Sequence, residues 1–327
     1  MSQTCPDISV IICTQNRSES LKVTLECLAS SLCDGIQVEV IIVDNAGRDN
    51  TREVATSFKD RIPLRYVYEP RVGVYGKSHA LNRALDSGCL GEIIAVLDDD
   101  MSPHPDWFKG VSAICMRWPE ADIFAGKTYI IWPEGNVPGW ARNTKLQSWI
   151  FSAVGVGDLD SPLAKGRWFS GNHFWFRSRI IDRGHRFRDL WLTEPDFQLS
   201  MAELGYRGIS GPDALAGHRV QPELLKKKAA IDRAKKVGVF YARLRLDPYR
   251  GRIKQARLFQ KHPMLARLFC LFNHIRWGFM FLASYLYPSD DTRFVRRLIA
   301  LERISAYQEY LGTAKRMKEY SIWKGNR

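Results

Sequence analysis

The chain has 327 residues, a formal net charge of +13 and 45% hydrophobic residues, the composition of a globular protein with a full core rather than a disordered chain. That length allows one large domain or two smaller ones. The charge is unevenly placed: residues 226–327 hold 24 Lys/Arg against 7 Asp/Glu, a net +17, while the remainder holds 24 against 28, a net −4. A mildly acidic body with a strongly basic final third suggests two jobs, the basic part meeting nucleic acid, anionic lipid or a phosphorylated substrate. The seven cysteines form no CxxC pair or other metal-type spacing, so reduced thiols in a cytosolic compartment are expected. The opening MSQTCPDISVIIC has no basic segment followed by a long apolar one, and no secretory leader is expected.

In chain order, ISVIIC (8–13) reads as a buried strand. The helix predicted over 17–31 carries Leu21, Leu25, Leu28 and Leu32 on one face. VEVIIVD (38–44) is a second strand, DNTREVATSF (49–58) a second helix, and LRYVYE (64–69) a third strand. SHALNRALDSG (78–88) is a helix closed by glycine, and EIIAVL (92–97) a fourth strand running straight into Asp98, Asp99 and Asp100. Strand–helix alternation predicts an α/β fold with a mainly parallel sheet, which binds ligands at the carboxyl ends of its strands. Thr14, Asp44, Glu69 and the three aspartates all fall at such ends. An aspartate cluster there holds a cation or polar ligand, or else is a solvated turn that caps the next helix. Further on, DIFAGKTYIIW reads as a strand, WPEGNVPGWARN (132–143) as a Pro/Gly-rich loop, NHFWFR (172–177) as a strand and EPDFQLSMAELG (194–205) as a helix. After His218 the chain reads as helical and basic.

Six segments together resemble one family, the inverting family 2 glycosyltransferases of GT-A fold. ISVIICTQNR resembles its opening strand and Thr–x–Asn–Arg turn, and VEVIIVDNAGRDNT its second strand with a nucleotide-binding aspartate. GKSHALNRAL is similar to its Gly–Lys–Ala–x–Ala–Leu–Asn segment, and LDDD to its Asp–x–Asp motif. FSGNHFWFRSRII resembles its acceptor-side segment, and TEPDFQLSMAELGYRGISGPDALAGHRV the segment with the catalytic base and a closing His–Arg pair. The matches run from residue 8 to about 220, which implies a Rossmann-like nucleotide-sugar domain over 1–222 and a basic helical region over 223–327.

The resemblance implies that Asp98 faces the ribose and that Asp100, with His218 nearby, touches a Mn²⁺ or Mg²⁺ on the diphosphate; Asp99 is the variable position. Hard oxygen ligands suit those cations, which neutralise a leaving diphosphate. Asp44 would accept hydrogen bonds from base or ribose, though a turn cap before Asn45–Ala46–Gly47 explains it equally. Thr14, Asn16 and Arg17 would lie on the first strand-to-helix turn beside the nucleotide, and Arg17 reads equally as a solvated helix residue. Gly73, Lys77 and Asn82 flank a turn suited to close approach of the donor, although a lone lysine is more often a surface residue. The general base is Glu194, with Asp196 as the alternative, and both also suit a helix N-terminus. On the acceptor side stand Trp140, Trp168, Gly171 and Asn172, with flat indole rings in the 132–143 loop offered to a sugar.

The stretch 264–287 is apolar and aromatic but contains Arg267, His274 and Arg276, which argues against a spanning helix. With the Lys/Arg-rich 226–261 before it, it fits a basic amphipathic helix in the interface of an anionic membrane, or a packed helical subdomain with a solvated basic face. NHIRW (273–277) faintly resembles a processive-synthase motif, but Asn replaces Gln and it lies too far past Glu194, so single-sugar addition is expected. The expected function is metal-dependent transfer from a UDP-sugar to a saccharide or lipid-linked acceptor, at the cytoplasmic face of the cell membrane. The competing classes are a non-catalytic membrane scaffold and a nucleic-acid-binding protein. No nucleic-acid module accompanies the charge, and TQNRSES in place of a glycine-rich turn argues against a dinucleotide-dependent oxidoreductase.

Overall fold

The computed structural model describes residues 5–32, 35–72, 77–153, 158–164, 166–189, 193–246 and 263–320. The strands are β1 (Ile8–Thr14), β2 (Val38–Asn45), β3 (Leu64–Glu69), β4 (Ile93–Asp98), β5 (Met101–Pro103), β6 (Ile123–Ile131), β7 (Ser161–Pro162), β8 (His173–Arg177) and β9 (Gly208–Arg219). The helices are α1 (Ser18–Ser30), α2 (Thr51–Ser57), α3 (Ser78–Leu85), α4 (Trp107–Arg117), α5 (Thr144–Ile150), α6 (Arg179–Asp182), α7 (Thr193–Glu203), α8 (Lys227–Leu246), α9 (Pro263–Ala283) and α10 (Asp290–Tyr320).

Two units emerge, one of residues 1–132 with 152–220, the other of 133–151 with 221–327. The second therefore begins close to the expected boundary but also claims residues 133–151, which the sequence reading assigned to the first domain.

The first unit is a nine-stranded mixed sheet in the order β3-β2-β1-β4-β8-β6-β9-β5, with β7 on β9. β3, β2, β1 and β4 are mutually parallel, while β8 enters antiparallel to β4 and β6. Side chains alternate across a strand, so each apolar run feeds two cores. Val10 and Ile12 of β1 pack with Leu21, Leu25 and Leu28 of α1 on one face; Ile11 packs with Ala80, Leu81 and Ala84 of α3 on the other. Burying each such leucine contributes roughly 1.5–3 kcal/mol, which is what holds α1 to the sheet. Leu32, expected on that face, falls past the helix end and is exposed.

The thiol expectation is corrected at one pair: Cys5 and Cys89, with Cα atoms 5.7 Å apart, are joined by a disulfide. Sequence spacing could not reveal it, because strand pairing brings together residues 84 apart.

In the second unit α10 packs along both α8 and α9. Gly238 explains how closely α8 and α10 approach: a Cβ there would press on the backbone of Glu302 and lie 3.1 Å from the Ala306 nitrogen. Among the described residues, no helix is long and apolar enough to cross a membrane.

Candidate active site

Sheet register assembles the site. Thr14 pairs with Asp44 and Cys13 with Asp98, so strand ends that are distant in sequence stand about 4.8 Å apart, side by side. Beyond β4 the chain turns through Asp99 and Asp100 into β5, where Met101 pairs with His218 of β9 and brings that imidazole beside the turn.

The three aspartates have three different partners. Asp99 is buried, accepts a hydrogen bond from Thr14 Oγ1 at 2.6 Å and pairs with Arg17 Nη1 at 2.8 Å. Burial pushes it up to about 6 even though Arg17 and Thr14 pull it down. Asp100 receives Arg17 Nη2 at 2.8 Å, and its Oδ1, buried without a hydrogen bond, faces His218 Nε2 at 3.5 Å. Burial alone would raise its pKa, but His218 and Arg17 together hold it well below the usual carboxylate range. Asp98 pairs with Lys77, whose Nζ also lies 2.7 Å from Glu194 Oε1. Burial pulls the Lys77 pKa down, yet Asp98 and Glu194 outweigh it and keep the ammonium charged. One lysine thus joins the aspartate turn to the first turn of α7.

Asp100 Oδ1, buried without a hydrogen bond and 3.5 Å from His218 Nε2, is an arrangement that suits a divalent cation. Among the described residues no group of three His, Cys, Asp or Glu is set to hold an ion alone. A carboxylate and an imidazole would suffice where phosphate oxygens and water complete the shell.

The profile described as Glycosyl transferase family 2 matches residues 9–182, more than half of the chain. The chain is a family 2 glycosyltransferase. Glycosyltransferase AglE of Haloferax volcanii is 32% identical over 241 residues, 71% of this chain and 73% of that protein. A chondroitin synthase of Escherichia coli is 31% identical over 123 residues, 38% of this chain but only 18% of that synthase. The solved mannosyltransferase PcManGT from Pyrobaculum calidifontis, in complex with GDP-Man and Mn2+, superposes with a TM-score of 0.56 over 95% of this chain and 88% of that one, at 19% identity, a likeness of the GT-A fold.

In this glycosyltransferase the remaining expected residues divide clearly. Asp44 caps the turn, its Oδ1 accepting Gly47 N at 2.8 Å, while its Oδ2 accepts Tyr66 OH at 2.8 Å. Asn16 holds the left-handed φ of 53° that asparagine tolerates, and its Oδ1 receives Arg48 N at 2.7 Å. Gly171 stands against the expected base, since a Cβ there would lie 3.0 Å from Glu194 Cβ. Asn172 is buried behind the turn, its Nδ2 directed at Met101 Sδ at 3.5 Å. Trp168 is half-buried. Gly73 lies outside the described residues.

Two of the expected residues are engaged within the protein itself. Asn82 was expected at the donor, but Phe187 takes both ends of its amide, Nδ2 to the carbonyl at 2.7 Å and Oδ1 from the N–H at 3.0 Å. It fixes the loop before α7 instead. Trp140 was expected to present a ring to an acceptor, but it is buried in the helical unit, edge-on to Phe294 at 5.0 Å. A Pro/Gly-rich loop reads as surface; here a short 3-10 turn at Gly139–Arg142 folds the indole into an aromatic core.

Sequence reasoning gave no role to Arg188 or Arg219. Arg188 grips Asp196 through two hydrogen bonds of 2.9 and 2.5 Å. Arg219 donates to the carbonyls of Ser20, Asp99 and Met101 at 2.8, 3.0 and 2.6 Å, tying the aspartate turn to α1. The closing His–Arg pair was the signal for Arg219, but only its histidine was given a task.

Proposed function

We propose that the protein transfers a single sugar from a nucleoside diphosphate sugar to a saccharide or lipid-linked acceptor with inversion, assisted by Mn²⁺ or Mg²⁺. The observation that carries this reading is Lys77, within reach of Asp98 and 2.7 Å from Glu194. It supports the reading by joining the aspartate turn expected to meet the donor to the carboxylate proposed as the base.

Glu194 takes the proton of the acceptor hydroxyl as that oxygen forms its bond to the anomeric carbon from the face opposite the diphosphate. The bond from the anomeric carbon to the diphosphate oxygen breaks, and nucleoside diphosphate leaves with the electron pair. A divalent cation held by Asp100 and His218 would supply charge neutralisation on that diphosphate. Arg17 and Lys77 are cations already in place, each between two carboxylates. A diphosphate offers both a competing anion, and Lys77 moving to it leaves Glu194 free to accept a proton. The two-point pair of Asp196 with Arg188 favours Glu194 over Asp196 for that role. A UDP-sugar is the first donor to try, with GDP-mannose beside it because PcManGT is described with GDP-Man and Mn2+. The basic helical unit favours acceptors at the inner face of the cell membrane, and its charge needs no nucleic acid to explain it.

The deciding experiment incubates the protein with UDP- and GDP-sugars, with and without Mn²⁺, and follows nucleoside diphosphate release and the anomeric configuration of the product. Metal-dependent release with inversion supports the reading. Neither release nor thermal stabilisation with any donor and metal would overturn it.

A further inference from the structure

The second unit contains a helix packed the wrong way round for a protein in water. In α9 the side turned to the unit's interior is Ala266, Cys270 and Asn273, all buried and all small or polar. The large apolar residues point out: Leu268, Ile275 and Phe279 are 57%, 50% and 68% exposed. Met264, Leu271 and Leu282 are exposed too. With 3.6 residues per turn, positions 264, 268, 271, 275, 279 and 282 form one continuous stripe along the outer face, opposite 266, 270 and 273. Over the helix's 21 residues the stripe is about 30 Å long. Monomeric proteins in water rarely expose contiguous apolar patches of this size.

The charges around the stripe say what covers it. From 263 to 287 there is no Asp or Glu. Arg267 and Arg276, both exposed, fall on opposite flanks of the stripe. The whole 226–327 region carries 24 Lys/Arg against 7 Asp/Glu. A second copy seated on the stripe would bring two such basic regions together, whereas an anionic leaflet neutralises them. No helix among the described residues is long and apolar enough to cross a bilayer, and the flanking arginines suit the headgroup layer.

We infer that α9 lies in the plane of an anionic membrane, with Met264, Leu268, Leu271, Ile275, Phe279 and Leu282 entering the acyl boundary and Arg267 and Arg276 at the headgroups. This gives a physical site to the membrane surface named in the functional reading and needs nothing from the catalytic assignment. Helices of this kind bind through apolar insertion plus attraction to anionic lipid, and their affinity follows both.

The test uses the full chain and sedimentation with vesicles of phosphatidylcholine alone or mixed with phosphatidylglycerol. Binding should rise with phosphatidylglycerol and fall with salt, leaving a salt-resistant fraction from the inserted side chains. The variant Leu268→Ser/Ile275→Ser/Phe279→Ser should lose about tenfold or more in partitioning, with unchanged thermal midpoint, because these residues touch water and not the core. Arg267→Gln/Arg276→Gln should reduce binding to phosphatidylglycerol vesicles and leave the salt-resistant fraction. Nucleoside diphosphate release without vesicles should be the same in all variants, so failure here leaves the transferase reading standing. Binding that ignores lipid charge or the triple serine variant would overturn the inference. So would a parent protein that is dimeric by ultracentrifugation, fails to bind vesicles and becomes monomeric on the triple substitution.

Discussion

Glu194 and Asp196 are two residues apart on the first turn of α7, both carboxylates and both buried, yet they meet different cations. Asp196 is held in a fork by Arg188, which ties the first turn of α7 to the segment before it. Glu194 is held at a single contact by the flexible Lys77. Glu194→Gln is expected to lower turnover by at least about 10²-fold with donor affinity kept, the scale of a lost general base. Asp196→Asn should instead cost about 1–3 kcal/mol of stability by leaving Arg188 underpaired, seen as a lower denaturation midpoint. A crippled but stable Asp196→Asn beside a nearly normal Glu194→Gln would sink the assignment. Asp100→Ala should remove the Mn²⁺-dependent part of nucleotide binding in calorimetry while the protein stays folded. Metal-dependent affinity equal to that of the parent would show that the ion is held elsewhere.

At the scale of elements, the site depends on how β8 is wedged between β4 and β6. His173, the first residue of β8, is buried, accepts Trp107 Nε1–H at 2.8 Å and lies 3.2 Å from Thr128 Oγ1. It thereby joins α4 to β6 behind the aspartate turn. Burial lowers its pKa from 6.5 to about 3, so the folded protein keeps it neutral. The sign follows: below pH 6.5 the unfolded chain binds a proton that the folded site refuses until about pH 3. Stability should therefore fall as pH drops through that window, by at most about 1.4 kcal/mol per pH unit from this group. Denaturant titrations at neutral and mildly acid pH, on the parent and on His173→Gln, measure it. The variant should lose less stability on acidification than the parent; equal slopes would mean that another group governs the acid limb.

For the whole molecule, the Cys5–Cys89 disulfide and the charge split are the global features. The disulfide closes a loop of 84 residues through β1 to β4, and a bridge of that span stabilises by roughly 2–5 kcal/mol, mainly by restricting the unfolded chain. Under reductant the thermal midpoint should drop, and Cys5→Ser/Cys89→Ser should have the lower midpoint with no further response to reductant. A thiol titration of the native protein that finds all seven cysteines reactive after unfolding without reductant would mean that the bridge does not form. Disulfides are rare in a reducing cytosol, so the same titration on protein taken directly from cells bears on where it works.

Short apolar runs alternating with helical patterns, such as the leucine face of α1 and the glycine that closes the α3 segment, were enough to determine β1 to β4 and α1 to α3, because each of those elements is specified locally by its own pattern. The sequence also placed Thr14, Asp44 and Asp98 at strand ends, since a parallel sheet leaves its carboxyl ends open for ligands. It foresaw the basic, apolar final third for the same reason, as composition needs no folding to be read. What it left open were pairings between distant residues. Which cation each of Glu194 and Asp196 meets, Lys77 or Arg188, was one, and the task of Arg219 on the carbonyls of Ser20, Asp99 and Met101 another. Trp140 looked exposed in a Pro/Gly loop until Phe151 and Phe294 closed over it, and Cys5 met Cys89 only through the sheet. The direction in which α9 faces was likewise decided by packing: an apolar helix shows its large residues to either side with equal ease until a neighbour such as α10 takes the small ones.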